Sequence, residues 1–234
     1  MTRRVLLFDV DGTLVRAGKA GSRAFEASLL AELGPVDPAR SSHLNGLRLD
    51  GMTDRLIVRH ILDALGRPFD DDLCDRILAG YIRQLAAQER DASFQVLPGV
   101  VELLEALRAR GAPVGLCTGN VAEGARIKLS WGGIAHHFTY QDAGIYGFAS
   151  DGEARERIVE AALMRASALL DRTVPPGEAL VIGDTPRDVD AAHRAGCPVL
   201  GVATGRFTVE ELKACGADRV AANLAGPDVF ELLA

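Results

Sequence analysis

Two aspartates near the start of the chain, Asp9 and Asp11, stand two residues apart at the end of an apolar run, Val5-Leu6-Leu7-Phe8. In extended backbone, residues i and i+2 project to the same side, so both carboxylates can face one substrate. One would attack while the other moves protons. A carboxylate that attacks phosphorus forms an aspartyl-phosphate, an established kind of covalent intermediate. Two anions facing a phosphate need a counter-charge, and a hard divalent cation with oxygen ligands supplies it. Asp-Gly is also a common turn pair. Here, however, Asp9 closes a strand-like run and Thr13 follows Gly12, a context that favours chemistry over a plain turn.

Such residues need a scaffold. Three later runs resemble Val5–Phe8 in being apolar throughout: Pro113-Val114-Gly115-Leu116-Cys117 before Thr118, Ala179-Leu180-Val181-Ile182 before Gly183-Asp184, and Pro198-Val199-Leu200-Gly201-Val202 before Thr204. Runs of this kind suit strands buried on both faces, as in a parallel sheet. Helical periods lie between them. Val100, Leu103, Leu104 and Leu107 form an i, i+3, i+4, i+7 face closed by Gly111, and Ile158 to Leu169 reads similarly. Alternating strands and helices imply an α/β fold with a doubly wound, Rossmann-like parallel sheet. Ligands of such sheets bind beyond the carboxyl ends of the strands. Asp9, Thr118 and Asp184 therefore belong on one rim.

Residues 16–95 break the rhythm and read as mostly helix, over Ala24–Leu33, Thr53–Leu65 and Asp70–Arg90. Turn signals separate these at Gly34-Pro35, Gly46, Gly51 and Gly66-Arg67-Pro68, and Leu97-Pro98-Gly99 marks the return to alternation. The expected organisation is an α/β core of residues 1–15 and 96–234 with a helical insertion of residues 16–95.

Asp9-Val10-Asp11-Gly12-Thr13-Leu14 resembles the first motif of the haloacid dehalogenase superfamily, in its phosphatase-like branch. The likeness covers nearly the whole chain, including the insertion, which is similar to that family's α-helical cap. The resemblance implies Asp9 as nucleophile and Asp11 as general acid and base. It also implies Mg2+ held by Asp9, the Asp11 carbonyl and Asp184. Dehalogenases lack an aspartate at the position of Asp11, and phosphonate-cleaving relatives carry a small residue there, so Asp11 points to phosphoryl transfer.

Thr118-Gly119-Asn120 resembles the second motif, whose hydroxyl and following amides can hold phosphoryl oxygens at a helix N-terminus. An ordinary N-cap threonine would have the same geometry. Gly183-Asp184-Thr185-Pro186-Arg187-Asp188 resembles the fourth motif, with Asp184 as the metal ligand. Thr185, Pro186 and Asp188 also spell an N-cap, a first-turn proline and a capping acid. Asp188 thus divides between capping and support of the metal, while Asp190 reads as solvated. The family's common third motif, a lysine before Pro-x-Pro, has no counterpart here. Some relatives place an arginine after Phe-x-x-Asp, and Phe148-Ala149-Ser150-Asp151 through Arg155 is similar to that version. Arg155 is the first choice for the active-site cation, Arg157 the second and Lys128 the third; an exposed helix charge is the plainer reading of each. Leu47 to Arg55 is similar to a cap loop of phosphoglycolate-phosphatase-like members, which assigns Arg48 and Thr53 to substrate. Thr53 could equally cap a helix, and Arg48 and Arg55 could be surface charges. Lys19 and Arg23 lie near the expected hinge.

Composition narrows the partners. A net charge of −6 gives no overall attraction to nucleic acid or an anionic membrane, so an anionic substrate needs a local cation. The apolar run at the start stops after four residues, short of the roughly 7–15 of a secretory segment, and no stretch approaches the roughly 20 of a membrane span. Cys74, Cys117, Cys197 and Cys215 form no C-x-x-C pair and read as reduced thiols, which fits the cytoplasm. A cysteine phosphatase needs an arginine six positions after its cysteine, where this chain has Gly80, Glu123, Ala203 and Ala221. Gly115-Leu116-Cys117-Thr118-Gly119 matches a nucleophile elbow in its glycines but leaves Asp9, Asp11 and Asp184 without a role. No dinucleotide or P-loop signature occurs. The five histidines, His136-His137 among them, lack i, i+4 metal spacing and suit loop or core positions.

The expected activity is Mg2+-dependent hydrolysis of a small phosphorylated metabolite through an aspartyl-phosphate. A phosphosugar mutase of the same family and a non-catalytic binding protein are the alternatives. The oligomeric state is not legible, and a monomer is compatible with everything above.

Overall fold

The computed structural model describes residues 4–35, 42–45, 47–88, 93–139, 144–226 and 228–233. The expected turn at Gly46 and the Arg90 end of the third expected helix of the insertion lie outside them.

The elements run β1 (Val5–Phe8), β2 (Val15–Arg16), α1 (Ala20–Leu33), α2 (Asp54–Ala64), α3 (Asp71–Ala86), β3 (Gln95–Val96), α4 (Val100–Ala109), β4 (Val114–Cys117) and α5 (Ala122–Trp131). After a 3-10 turn at Ala135–His137 come β5 (Tyr146–Gly147), α6 (Arg155–Leu169), β6 (Ala179–Gly183), α7 (Pro186–Arg194), β7 (Val199–Val202), α8 (Val209–Ala214), β8 (Arg219–Ala221) and α9 (Val229–Leu233). Six strands form one parallel sheet in the order β5-β4-β1-β6-β7-β8. This is the α/β, Rossmann-like sheet expected from the alternation. Its two faces follow from the period-2 geometry of a strand: Leu6 and Phe8 pack with α4 into one apolar layer, while Val5 and Leu7 pack with α6 and α7 into the other.

The sheet gains two strands beyond the four apolar runs. β5 is two residues long, and β8 is a partly buried edge containing Arg219, so neither shows a buried-strand signature.

Register explains the rim. Phe8 pairs with Leu116 on one side and Ile182 on the other. Asp9 is therefore level with Cys117 and Gly183, and Thr118 and Asp184 stand one residue further out. The switch in strand order at β1 opens a crevice there.

Between β2 and β3, helices α1, α2 and α3 build a separate apolar cluster around Phe25, Leu29, Ile61, Ile77 and Tyr81. α1 begins at Ala20, earlier than the pattern suggested, and α3 ends at Ala86. β2 and β3 pair antiparallel, Val15 with Val96 and Arg16 with Gln95, so the two connections to these helices run side by side. Among the described residues, no helix is long and apolar enough to cross a membrane.

Candidate active site

Beyond the carboxyl ends of β1, β4 and β6 lies a cavity of about 550 Å³, lined by residues from the sheet rim and from α1, α2, α3 and α5. Asp9 sits at its base, 4% exposed, with its amide donating to the Ile182 carbonyl at 2.9 Å. Burial, reinforced by Asp188 and Asp11, outweighs the opposing Arg155 and pushes the Asp9 carboxyl up to about 6. Asp184, also 4% exposed, accepts from the Thr13 hydroxyl at 3.3 Å. Burial and the charges of Asp188 and Asp9 push it to about 9. Asp9, Asp184 and Asp188 each offer an oxygen within 4.8 Å of the others. Three buried carboxylates this close repel one another unless a cation joins them.

Arg155, at the first turn of α6, is one such cation. Its Nη2 stands 2.9 Å from Asp9 and also pairs with Asp188, while Nη1 donates to the Gly51 carbonyl at 3.1 Å. Burial would lower its pKa, but Asp188 and Asp9 drive it upward, so the guanidinium stays charged. One guanidinium does not balance three carboxylates. An all-oxygen donor set with residual negative charge is the chemistry of a hard divalent ion such as Mg2+. Space is kept for the Asp184 carboxylate: a Cβ at Gly205 would come within 1.7 Å of Asp184 Oδ2, and one at Gly12 within 2.3 Å. Gly12 also has φ +88°, a conformation suited to glycine.

Asp188 takes the capping role and also meets Arg155. It accepts from the Thr185 amide (3.0 Å) and hydroxyl (2.7 Å) while Thr185 Oγ1 accepts from the Asp188 amide, a complete capping box on α7. Its other oxygen meets Arg155.

Asp11 faces elsewhere. Its side chain is 41% exposed to the cavity, and its Oδ2 accepts from Asn120 Nδ2 at 2.9 Å and from Lys128 Nζ at 2.5 Å. Asn120 also donates to Thr118 Oγ1 (2.8 Å), and Lys128 donates to Asn120 Oδ1 (2.6 Å). Burial works against the Lys128 ammonium, yet Asp11, Tyr81 and Asp54 hold its pKa above the ordinary value. Asp54, the first residue of α2, is buried and pushed up to about 6 by that burial; its Oδ2 accepts from the Val121 amide at 2.8 Å.

Gly119 allows the segment before α2 to close on the rim. Its carbonyl accepts from the Asp54 amide at 2.8 Å, and a Cβ there would lie 2.4 Å from the Met52 carbonyl and 2.9 Å from Arg155 Nη1. Thr53 Oγ1 donates to the Glu153 carbonyl at 3.1 Å, Arg59 pairs with Glu153 at 2.7 Å, and Arg187 donates to the Asp50 carbonyl at 2.6 Å.

Of the residues singled out in sequence, Asp9, Asp11, Thr118, Gly119, Asn120, Arg155 and Asp184 line the cavity, and Asp188 lies directly behind. Thr53 does not line it; it caps α2, accepting from the Leu56 amide. Arg48 is exposed and lies outside the lining, as do Lys19 and Arg23. Arg55 pairs with Asp71 and Asp75 on the surface, Arg157 with Glu160 and Asp190 with Arg194. Cys117 is buried, and burial pushes its thiol far up, which removes a thiolate at neutral pH. The reading by residue type undervalued Lys128 and missed Asp54, Tyr81, Arg16 and Arg206, all in the lining. One signal was available for Lys128: it lies at i+3 and i+4 from the buried Ala125 and Gly124, an unusual face for a lysine.

Residues 6–202 match the sequence model of the haloacid dehalogenase-like hydrolases. The phosphoglycolate phosphatase of Rhodospirillum rubrum is 32% identical over 219 residues, covering 92% of this chain and 85% of that protein. A hydrolase from Pseudomonas syringae superposes with a TM-score of 0.72 at 24% identity, covering 98% of both chains. A Bacteroides vulgatus structure assigned to a beta-phosphoglucomutase gives 0.69 at 18% identity, covering 99% of this chain and 88% of that one. These two structural likenesses speak for the fold alone. The chain belongs to the haloacid dehalogenase-like hydrolase family and is a phosphoric monoester hydrolase within it.

Proposed function

We propose that this enzyme hydrolyses a small phosphate monoester of a hydroxy acid, phosphoglycolate being the leading candidate, with Mg2+ as cofactor. The convergence of Asp9, Asp184 and Asp188 at the base of the cavity, with one guanidinium paired to Asp9 and Asp188, carries this reading. Their carboxylates would hold the ion, which supplies charge neutralisation at the phosphoryl group. Asp9 attacks phosphorus in line, and Arg155 keeps its carboxylate aimed while offering positive charge to the phosphoryl oxygens. Thr118 and the amides of Gly119 and Asn120 hold those oxygens. Asp11, at the open side of the site, protonates the leaving alkoxide and then takes a proton from the water that cleaves the aspartyl-phosphate. Residues 16–95 act as a cap domain over a catalytic core of 1–15 and 96–234.

Two observations favour a hydroxy acid as leaving group. The matched Rhodospirillum rubrum relative is a phosphoglycolate phosphatase. Lys128 also fixes a buried positive charge beside Asp11, on the side where the leaving group must sit. The test is phosphate release from phosphoglycolate, sugar phosphates and nucleotides, each with Mg2+ and with EDTA. Fastest Mg2+-dependent release from phosphoglycolate is expected. Isomerised sugar phosphate without free phosphate would overturn the proposal in favour of a mutase.

A further inference from the structure

Outside the cavity lining, three metal-competent side chains converge from two elements. Glu105 lies on α4; His136 and His137 form the 3-10 turn after α5. Glu105 Oε1 stands 3.4 Å from His137 Nε2 and 3.7 Å from His136 Nε2. The two imidazoles lie with centroids 4.0 Å apart and planes tilted by 39°. Donors on a tetrahedron around an ion at ~2.0–2.2 Å stand ~3.3–3.6 Å from one another. The spacing to Glu105 therefore approaches that of a tetrahedral edge without any rearrangement of backbone.

We infer that Glu105, His136 and His137 form a second metal site, selective for a borderline transition ion of the Zn2+ class and separate from the aspartate cluster. Two imidazoles and one carboxylate suit such ions, whereas Mg2+ prefers oxygen and water. The fold already holds the His137 ring in place: its side chain is 2% exposed, with Nε2 turned toward Glu105. His136 and Glu105 remain half exposed, which leaves the fourth position to solvent. Bound there, the ion clamps α4 to the turn leading into Phe138, whose ring packs edge-on against Phe8 at 6.5 Å. It would act as a staple on the sheet face that carries β1.

The experiment uses tag-free, metal-stripped protein titrated with Zn2+ by calorimetry and with Co2+ followed by visible absorption. It compares wild type, E105Q, H136Q and D184N. The expected result is one Zn2+ bound in wild type and D184N, affinity at least about tenfold weaker in E105Q and H136Q, and a Zn2+-dependent rise in Tm lost in both. Both substituted positions are exposed, so these variants fold, and their Mg2+-dependent turnover matches wild type. Zn2+ binding unchanged in E105Q and H136Q, or abolished by D184N, would overturn the assignment.

Discussion

Replacing Arg155 by methionine keeps the reach of the side chain and deletes its charge. In the native protein this guanidinium touches Asp9 at 2.9 Å, Asp188 and the Gly51 carbonyl, and it is 8% exposed. Two separate costs follow. Removing one member of a buried ion pair typically costs about 3–5 kcal/mol, because the remaining carboxylates lose their partner. Removing a preorganised charge from a transition state costs about 10²–10³ in kcat. Because Arg155 also holds Asp9, the proposed nucleophile, and the Gly51 carbonyl, the combined loss in kcat is expected at about 10³ or more. R155K should recover only part of it, since one ammonium cannot meet both carboxylates and the Gly51 carbonyl as the planar fork does through Nη2 and Nη1. The assay is phosphate release under saturating Mg2+, with unfolding measured in parallel so that turnover is expressed per folded molecule. R157M is the control, because Arg157 pairs with Glu160 on the surface, and it should match wild type. Turnover of R155M within tenfold of wild type would refute the assignment of the cation.

Other outcomes follow from the same geometry. D9N should be inactive, whereas D11N should retain activity lowered by about 10²–10⁴, the range for general acid–base assistance; single-turnover phosphate release separates the two. G119A should lose activity and about 1–3 kcal/mol of stability, since its Cβ meets the Met52 carbonyl. G177A, where nothing among the described residues lies within 4 Å of the added Cβ, should be neutral in the same denaturation series. Asp54 has a folded pKa near 6, above the ordinary carboxylate value, so the folded state binds the proton more tightly. Its contribution is full below about pH 4 and is lost as pH rises through 6, roughly 3 kcal/mol at most. The Tm of D54N relative to wild type should therefore climb between pH 4 and pH 7, and a flat difference would contradict the burial of that carboxyl.

The rim of the sheet was legible because it depends on strand topology. A buried parallel strand announces itself by an unbroken apolar run, and once Val5–Phe8, Val114–Cys117 and Ala179–Gly183 run parallel, their polar ends must meet. α7 was equally readable, since Thr185, Pro186 and Asp188 encode their own cap locally. Contacts made across long separations were not. Lys128 reaches Asp11 across 117 positions, Asp54 reaches Val121 across 67, and Arg59 reaches Glu153 across 94. No local pattern encodes these pairings. β5 and β8 escaped for another reason: a two-residue strand and a half-exposed edge do not bury enough apolar surface to leave a signature. Thr53 illustrates the ambiguity of a hydroxyl at a helix start, where capping and substrate binding demand the same residue type.

The segment from Asp50 to Asp54 has a consequence for how such an enzyme can diversify. Gly51 braces Arg155, Asp50 accepts from Arg187, Met52 lies against Gly119, and Asp54 is bonded to the Gly119 carbonyl and the Val121 amide. The same short loop forms part of the cavity wall that a substrate would meet. A substitution here that reshapes the wall also shifts the carbonyl that steadies the guanidinium on Asp9. Drift toward new substrates through this loop is thereby penalised in rate. Variation is freer along α1 and α3, which line the same cavity through Gly21, Ser22, Phe25 and Tyr81 and, among the described residues, make no hydrogen bond to Arg155. Lineages that change substrate while keeping turnover should accumulate their replacements on those helices first.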